Sequence, residues 1–313
     1  MLSPAKTLVS APASYCLFQD PWWLDAVAPD GWSEAVVRKG DEVVARMPYV
    51  ASRKYGTLSI TRPRLTPTLG PWHRTTGAKS VKRLRTEKDN IEALLDQLPP
   101  YDRCSIMCHP NLVNLLPFHW AGFQLAVKYT YRFPDLSDLD AIWKGFAENI
   151  RSDIRKSQKH VGIECDLGTS QFIATYTKTF QRQGRNSPVS PAFLERLDDV
   201  LARRGRRRQL FAVDGKRRIH AAVYMVWDDR CAYYLMGGGD PELRNSGATS
   251  LLLWNAIQHA ATVSNSFDFE GSMLEPVERF FRAFGAVQTP YYQAHRINSR
   301  VLRLAAAFWG RAA

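Results

Sequence analysis

Apolar and polar positions along this chain alternate in two rhythms. Over 139–159 the apolar residues Leu139, Ile142, Trp143, Phe146, Ile150 and Ile154 fall three or four apart, which predicts one long amphipathic helix joining two halves. Ahead of it, the pattern predicts a short helix at 21–27. A hairpin follows, with strands at 33–38 and 43–51 around Gly40-Asp41. A helix at 87–98 comes next, then strands near 104–108 and 123–133. Residues 61–77, rich in Pro, Gly and Thr, predict an extended loop or lid.

Behind the connector, 170–183 predicts a helix, and Ser190-Pro191 opens another that runs to 202, with Ser as cap and Pro at the first position. Strands at 209–213, 219–227 and 231–236 turn at Asp214-Gly215 and Asp228-Asp229. Gly237-Gly238-Gly239 is expected to break the third strand. A helix at 247–262, a short strand at 267–270, a helix at 276–284 and a strand at 287–297 complete the chain. Residues 35–49 and 210–224 share one hairpin pattern, with Gly40 against Gly215 and Tyr49 against Tyr224. This echo fits two related modules joined near 135–150.

Composition narrows the class. The 313 residues are 45% hydrophobic and 23% charged, which suits a globular chain with a real core. No apolar run is long enough for a membrane span, and the first sixteen residues read as a loose leader rather than a secretory signal. Five scattered cysteines without C-x-x-C spacing argue against a metal site and for reduced thiols in the cytoplasm. The net charge of +12 favours anionic partners. Two basic clusters could supply phosphate contacts: Arg151, Arg155 and Lys156 on the connector, and Arg206, Arg207 and Arg208 beside the hairpin.

The order of elements over 170–297 resembles the core of the GNAT acyltransferases. The strings FQDPWWLDAV (18–27), YRFPDLS (131–137), IRSDIRKSQK (150–159), DFEGSM (268–273) and FFRAFG (280–285) resemble the Fem-type branch across nearly the whole chain. The resemblance implies an α/β fold of two tandem GNAT-like modules, each a mixed, mainly antiparallel sheet flanked by helices. The N-terminal module, 1–138, would be degenerate, and the C-terminal module would span 139–313. It also implies an amide-forming enzyme that moves an aminoacyl group from aminoacyl-tRNA to an amine on a small molecule or peptide precursor, with no permanently bound cofactor. Acyl-CoA is the alternative donor, and a non-catalytic RNA-binding module is the third reading.

The donor loop bears on that choice. GNAT enzymes carry Q/R-x-x-G-x-G/A ahead of a helix whose N-terminus holds the CoA pyrophosphate; here the segment is Arg244-Asn245-Ser246-Gly247-Ala248-Thr249, with Thr where Gly or Ala is expected. Gly237, Gly238, Arg244, Asn245 and Gly247, with Arg279 and Arg282 on the next helix, are the expected donor-binding residues. Attack by an amine needs a group that takes its proton. On a strand over 267–270, Asp268 and Glu270 would share one face, with Ser272 at the following turn. The resemblance adds Tyr291 as an acid for the leaving group.

Overall fold

The computed structural model describes residues 13–181, 184–271 and 273–309, so most of the leader and Ser272 lie outside the described residues. The first half runs α1 (Pro21–Val27), β1 (Ser33–Lys39), β2 (Glu42–Lys54), β3 (Thr57–Thr61), β4 (Trp72–His73), α2 (Ser80–Asp96), β5 (Arg103–Met107), α3 (Leu116–Trp120) and β6 (Gln124–Phe133). The second half opens with α4 (Leu139–Gly145), α5 (Glu148–Ser157), β7 (Val161–Cys165), α6 (Thr169–Gln181), α7 (Pro191–Arg203), β8 (Arg207–Asp214) and β9 (Ile219–Trp227). It closes with β10 (Cys231–Gly239), α8 (Ala248–Val263), β11 (Ser266–Asp268), α9 (Glu275–Arg282), β12 (Val287–Ile297) and α10 (Arg300–Trp309).

The strands form one continuous sheet in the order β1-β2-β3-β5-β12-β6-β11-β10-β9-β8-β7, with β4 pairing β2 off that path. The order is nearly symmetric about its centre. β1-β2-β3-β5 on one side matches β8-β9-β10-β11 on the other. In each set the last two strands are parallel and the others antiparallel. The hairpins echoed in sequence therefore occupy equivalent places. The closing strands are exchanged: β12 lies against β5, β6 lies against β11, and the two pair with each other from Val287↔Arg132 to His295↔Gln124. β6 from the first half of the chain and β12 from its end interlock the two sets in space.

Helices cover both faces. β9 is buried from His220 to Trp227, which explains its nearly continuous apolar run. One core packs Phe146, Leu252, Phe267 and Phe284; a second packs Phe18, Trp23, Phe172 and Tyr233; a third lies under the first half around Met47, Ile91 and Phe118. Each such side chain contributes about 1.5–3 kcal/mol by leaving water.

Three expectations are corrected. The single helix over 139–159 is two helices, because Phe146 and Ala147 adopt extended backbone. Phe146 turns inward against Trp143, Trp254 and Phe284, and the freed Ala147 N–H donates to Ala283 O at 2.8 Å. Packing by one aromatic outweighs helix continuity there. The three glycines do not break β10, which runs through Gly239. They allow close approach: a Cβ on Gly238 would sit 2.8 Å from Tyr176 Cα, and one on Gly237 would sit 2.9 Å from Ala222 O. Finally, β11 stops at Asp268, short of Glu270.

Among the described residues, no helix is long and apolar enough to cross a membrane, and no cluster of His, Cys, Asp or Glu is arranged to hold a metal.

Candidate active site

β10 and β11 run parallel only through Tyr233↔Asp268. Beyond that pair they part, because the chain after Asp268 follows β6: the Phe269 N–H donates to Tyr131 O at 3.0 Å. Glu270 (φ 59°) and Gly271 (φ 56°) then make a left-handed turn. Glycine is required at 271, where a Cβ would lie 2.2 Å from Tyr129 O. At 270 the same conformation carries a side chain at a cost of about 1–2 kcal/mol. Strain of this kind concentrates at functional sites.

Asp268 holds the turn. It is only 6% exposed, and its Oδ1 accepts from Thr130 Oγ1 and, at 2.8 Å, from the Glu270 N–H. Arg132 Nε lies 3.2 Å from Oδ2. Both oxygens of Asp268 are thus engaged, and one of them fixes the backbone of Glu270. Burial raises its carboxyl above the ordinary range, and Arg132, Thr130 and the Glu270 amide pull it back.

Glu270 is half-buried at the edge of a crevice of about 10 Å³, lined among others by Thr68, His109, Thr130 and Tyr291. That is about the space of one water. Burial first, and the Asp268 charge second, push its carboxyl well above the usual range, while Arg62 and Arg132 oppose them. Burial raises both neighbouring carboxyls, and the two differ in partners: Asp268 is tied to Arg132 and Thr130, while Glu270 borders the crevice. Burial also pushes the Tyr291 hydroxyl up to about 12, so it keeps its proton at neutral pH. His109 stacks on Tyr15 at 5.3 Å, and burial with nearby arginines lowers it to about 3, leaving it neutral. Burial likewise raises Cys108 to about 12, an inert thiol.

The loop expected to be a lid is pinned as a wall over this crevice. Leu69 and Gly70 N–H groups both donate to Met107 O, Gln19 Nε2 donates to Gly70 O at 2.6 Å, and Trp23 Nε1 donates to Thr66 Oγ1 at 3.0 Å.

A larger cavity, about 320 Å³, opens where β10 runs on past β11. Tyr234, Gly237, Gly238, Arg244, Thr249 and Phe280 are among its walls. A bulge between Tyr234 and Met236 takes Leu235 out of register with β9, leaving backbone groups outside the ladder. Gly247, in the left-handed region (φ 76°), starts α8; a Cβ there would lie 2.4 Å from Asp153 O. Lys156 Nζ donates to Asn245 O at 2.7 Å, so both residues fasten the loop. The equivalent gap between β3 and β5 is closed to about 10 Å³, with Leu69 in its wall.

Residues 144–274 match the family model of the acetyltransferase (GNAT) domain. The chain has a Fem-like GNAT fold. The crystal structure of FemX superposes with a TM-score of 0.67 at 13% identity, covering 88% of this chain and 91% of that one. The structure of L-PGS from Bacillus licheniformis gives 0.54 at 9% identity, over 92% and 96% of the two chains. The C-terminal domain of a putative lysylphosphatidylglycerol synthetase from Agrobacterium fabrum gives 0.52 at 12% identity, over 84% of each. No curated protein matches the sequence.

In this GNAT frame the expected residues separate into groups. Asp268, Glu270 and Tyr291 converge on one crevice. Gly237, Gly238 and Arg244 line the cavity, while Gly247 and Asn245 shape its loop. Arg279 and Arg282 lie in the last turn of α9, with Arg282 paired to Glu278 at 3.0 Å. The basic clusters are largely neutralised. Arg151 and Arg155 both pair with Glu148, and Arg206 pairs with Asp229 at 2.6 Å. Arg207, its side chain 16% exposed, sits between Asp166 and Asp198. Arg208 meets His259 Nδ1 at 2.8 Å. Sequence reading did not bring Arg62, Thr130 or the Leu235 bulge forward, and it considered His109 only beside Cys104 and Cys108, as a weak ligand cluster and as an excluded thiol–imidazole pair. Arg62 fell within a Pro- and Thr-rich segment expected to be a loop.

Proposed function

We propose that this chain is an amide-forming acyltransferase that moves an aminoacyl group from aminoacyl-tRNA to an amine of a small molecule or peptide precursor. The carrying observation is the parting of β10 and β11 beyond Tyr233↔Asp268, with Glu270 just past the shorter strand in a crevice that Tyr291 also lines, and a separate cavity lined by the continuation of the longer strand. The activated carbonyl would enter from the cavity and the amine from the crevice. The amine nitrogen attacks the carbonyl carbon, and its proton passes to Glu270, directly or through one water. Backbone donors outside the ladder at the Leu235 bulge would be the candidates to stabilise the developing oxyanion. The ester C–O bond then breaks, Tyr291 gives its proton to the departing ribose oxygen, and Glu270 returns a proton to Tyr291. Holding both substrates across one strand gap supplies much of the rate.

Thr249 in the cavity wall, where a CoA loop carries Gly or Ala, supports the tRNA donor. Acyl-CoA is the second reading, favoured by Arg244 and the α8 N-terminus beside a cavity of about 320 Å³. The test supplies each donor with a panel of amines. Ribonuclease should abolish transfer from aminoacyl-tRNA; ribonuclease-resistant transfer with release of free thiol from acyl-CoA would assign the second donor instead. No product from either donor would sink the transferase reading.

A further inference from the structure

A cavity of about 630 Å³ opens just ahead of β10, at the opposite end of that strand from Gly237, and shares no wall residue with the groove. Trp22, Arg203 and Arg204 line it, and the same three side chains line a gap of about 410 Å³ beside it. Two helix ends place them. Pro21 starts α1 with Trp22 behind it. Gly205 (φ 61°) ends α7 in a left-handed turn, where the Gly205 and Arg206 N–H groups donate back to Ala202 O and Leu201 O. The exposed Arg204 guanidinium then lies over the half-buried Trp22 ring, 4.7 Å from its centroid.

The acids in these walls already have donors. Asp20 accepts from Ser14 Oγ at 2.7 Å and from Trp22 Nε1 at 3.2 Å, and Asp25 accepts from Trp32 Nε1 at 2.8 Å. Asp228 pairs with Arg230 and Asp229 with Arg206. Among the described residues, Arg203 and Arg204 make no ion pair, unlike Arg206 and Arg207 of the same run. The unspent charge therefore sits at 203–204 and not at 206–208, where the sequence predicts phosphate contacts. The C-terminal end of a helix carries about half a negative charge, too little to balance two guanidiniums.

We propose that this cavity is a binding site for a nucleotide unit, separate from the transfer site, in which Arg203 meets the phosphate and a base stacks on the Arg204–Trp22 pair. A guanidinium fork matches phosphate oxygens through parallel N–H···O bonds. A guanidinium already held over an indole gives a base a stacking surface that loses little freedom on binding. Cavities of this size suit ligands of nucleotide dimensions. A free nucleotide and one link of an RNA strand present the same phosphate and ring, and the test separates them. Occupancy of this site does not depend on which donor the groove takes.

The test titrates the full chain with AMP, adenosine, ribose 5-phosphate and a short oligoadenylate, reading affinity by calorimetry and contact by tryptophan emission. Wild type should bind AMP about tenfold or more tighter than either ribose 5-phosphate or adenosine, because each lacks one half of the recognised unit. Oligoadenylate binding about tenfold tighter than AMP assigns an RNA strand; a smaller gain assigns the free nucleotide. Arg203→Gln/Arg204→Gln should weaken every phosphate-bearing ligand about tenfold and flatten the salt dependence of oligoadenylate binding. Arg151→Gln/Arg155→Gln, whose arginines are paired to Glu148, should stay within about twofold of wild type. Trp22→Phe should lose the quenching of emission that ligand causes in wild type. The proposal is overturned if wild type binds none of the four, or if ribose 5-phosphate matches AMP within about twofold. Equal weakening by the two arginine pairs, or undiminished quenching in Trp22→Phe, overturns it as well. Thermal melts check folding, and if Trp22→Phe does not fold, the ligand series and the arginine pairs decide.

Discussion

Replacing Glu270 with Gln should stabilise the protein while removing its activity, and the gain should grow with pH. The Glu270 carboxyl has a folded proton affinity raised by burial and by Asp268, against an ordinary value of 4.5. A group raised in this way stabilises the fold fully below its unfolded value, and that stability drains away as pH climbs through the folded value. Gln keeps the shape and cannot ionise, so it retains what the wild type loses. An ill-compensated buried polar group costs about 1–3 kcal/mol, and the opposing pull of Arg62 and Arg132 places this one near the low end, about 1 kcal/mol. For a chain of this length that is roughly 2 °C in melting temperature. The backbone strain at φ 59° is untouched by Gln. Glu270→Gly should therefore melt higher still, by up to about 1 kcal/mol of released strain. Turnover should fall about 10²–10⁴-fold in the Gln variant. The assay is a set of thermal melts from acid to alkaline buffer, wild type against variant. A Gln variant that melts lower in alkaline buffer, or a difference flat with pH, would show that Arg62 more than compensates the carboxylate and would refute the argument.

Three further substitutions test other parts. Gly247→Ala meets both a left-handed backbone and the Asp153 carbonyl, so it should cost about 2 kcal/mol or more in chemical denaturation and weaken donor binding by shifting the start of α8. Tyr291→Phe should lower turnover about 10–100-fold with little change in acceptor affinity. Because its hydroxyl titrates only at about 12, the wild-type pH profile should show no alkaline fall from Tyr291 near neutrality. Asp198 accepts from Tyr224 at 2.6 Å, from Gln209 at 2.9 Å and from Thr169 at 2.6 Å, and it pairs with Arg207. Asp198→Asn should destabilise by about 3–5 kcal/mol in urea titrations, because Arg207 is left underpaired.

Elements bounded by strong local signals were legible in sequence. β9 lies between Asp214-Gly215 and Asp228-Asp229, and its observed limits match the expected ones. The Ser190 side chain caps α7 by accepting from Phe193 N–H, as the Ser-Pro pair implied. β3, with its Thr-Leu-Ser-Ile-Thr alternation, was hidden by Pro and Thr neighbours, and β7 is an edge strand with weak apolar content. The break at Phe146 was invisible because apolar spacing continues straight across it. Strand exchange left no local trace, since a strand's pattern says which face it buries and not which strand it joins. The same limit governs the site. Glu270 and Tyr291 could be named from motif positions, whereas Thr130, which donates to Asp268 beneath Glu270, comes from 138 residues away in the chain. The cluster Arg206–Arg208 read as a free phosphate contact because composition does not show that Asp166, Asp198 and Asp229 fold against Arg206 and Arg207.

The crossed position of β12 also constrains how the molecule is made. While the ribosome is still building the second half, β5 has no neighbour on its inner side and β6 lacks both of its own. Such bare edges invite pairing with other chains. They are covered only when residues 287–297 emerge and thread between them, and the same segment delivers Tyr291 to the crevice. Completion of the sheet and closure of the crevice wall by Tyr291 are one event, so a nascent chain lacking the residues from 287 onward should be sticky.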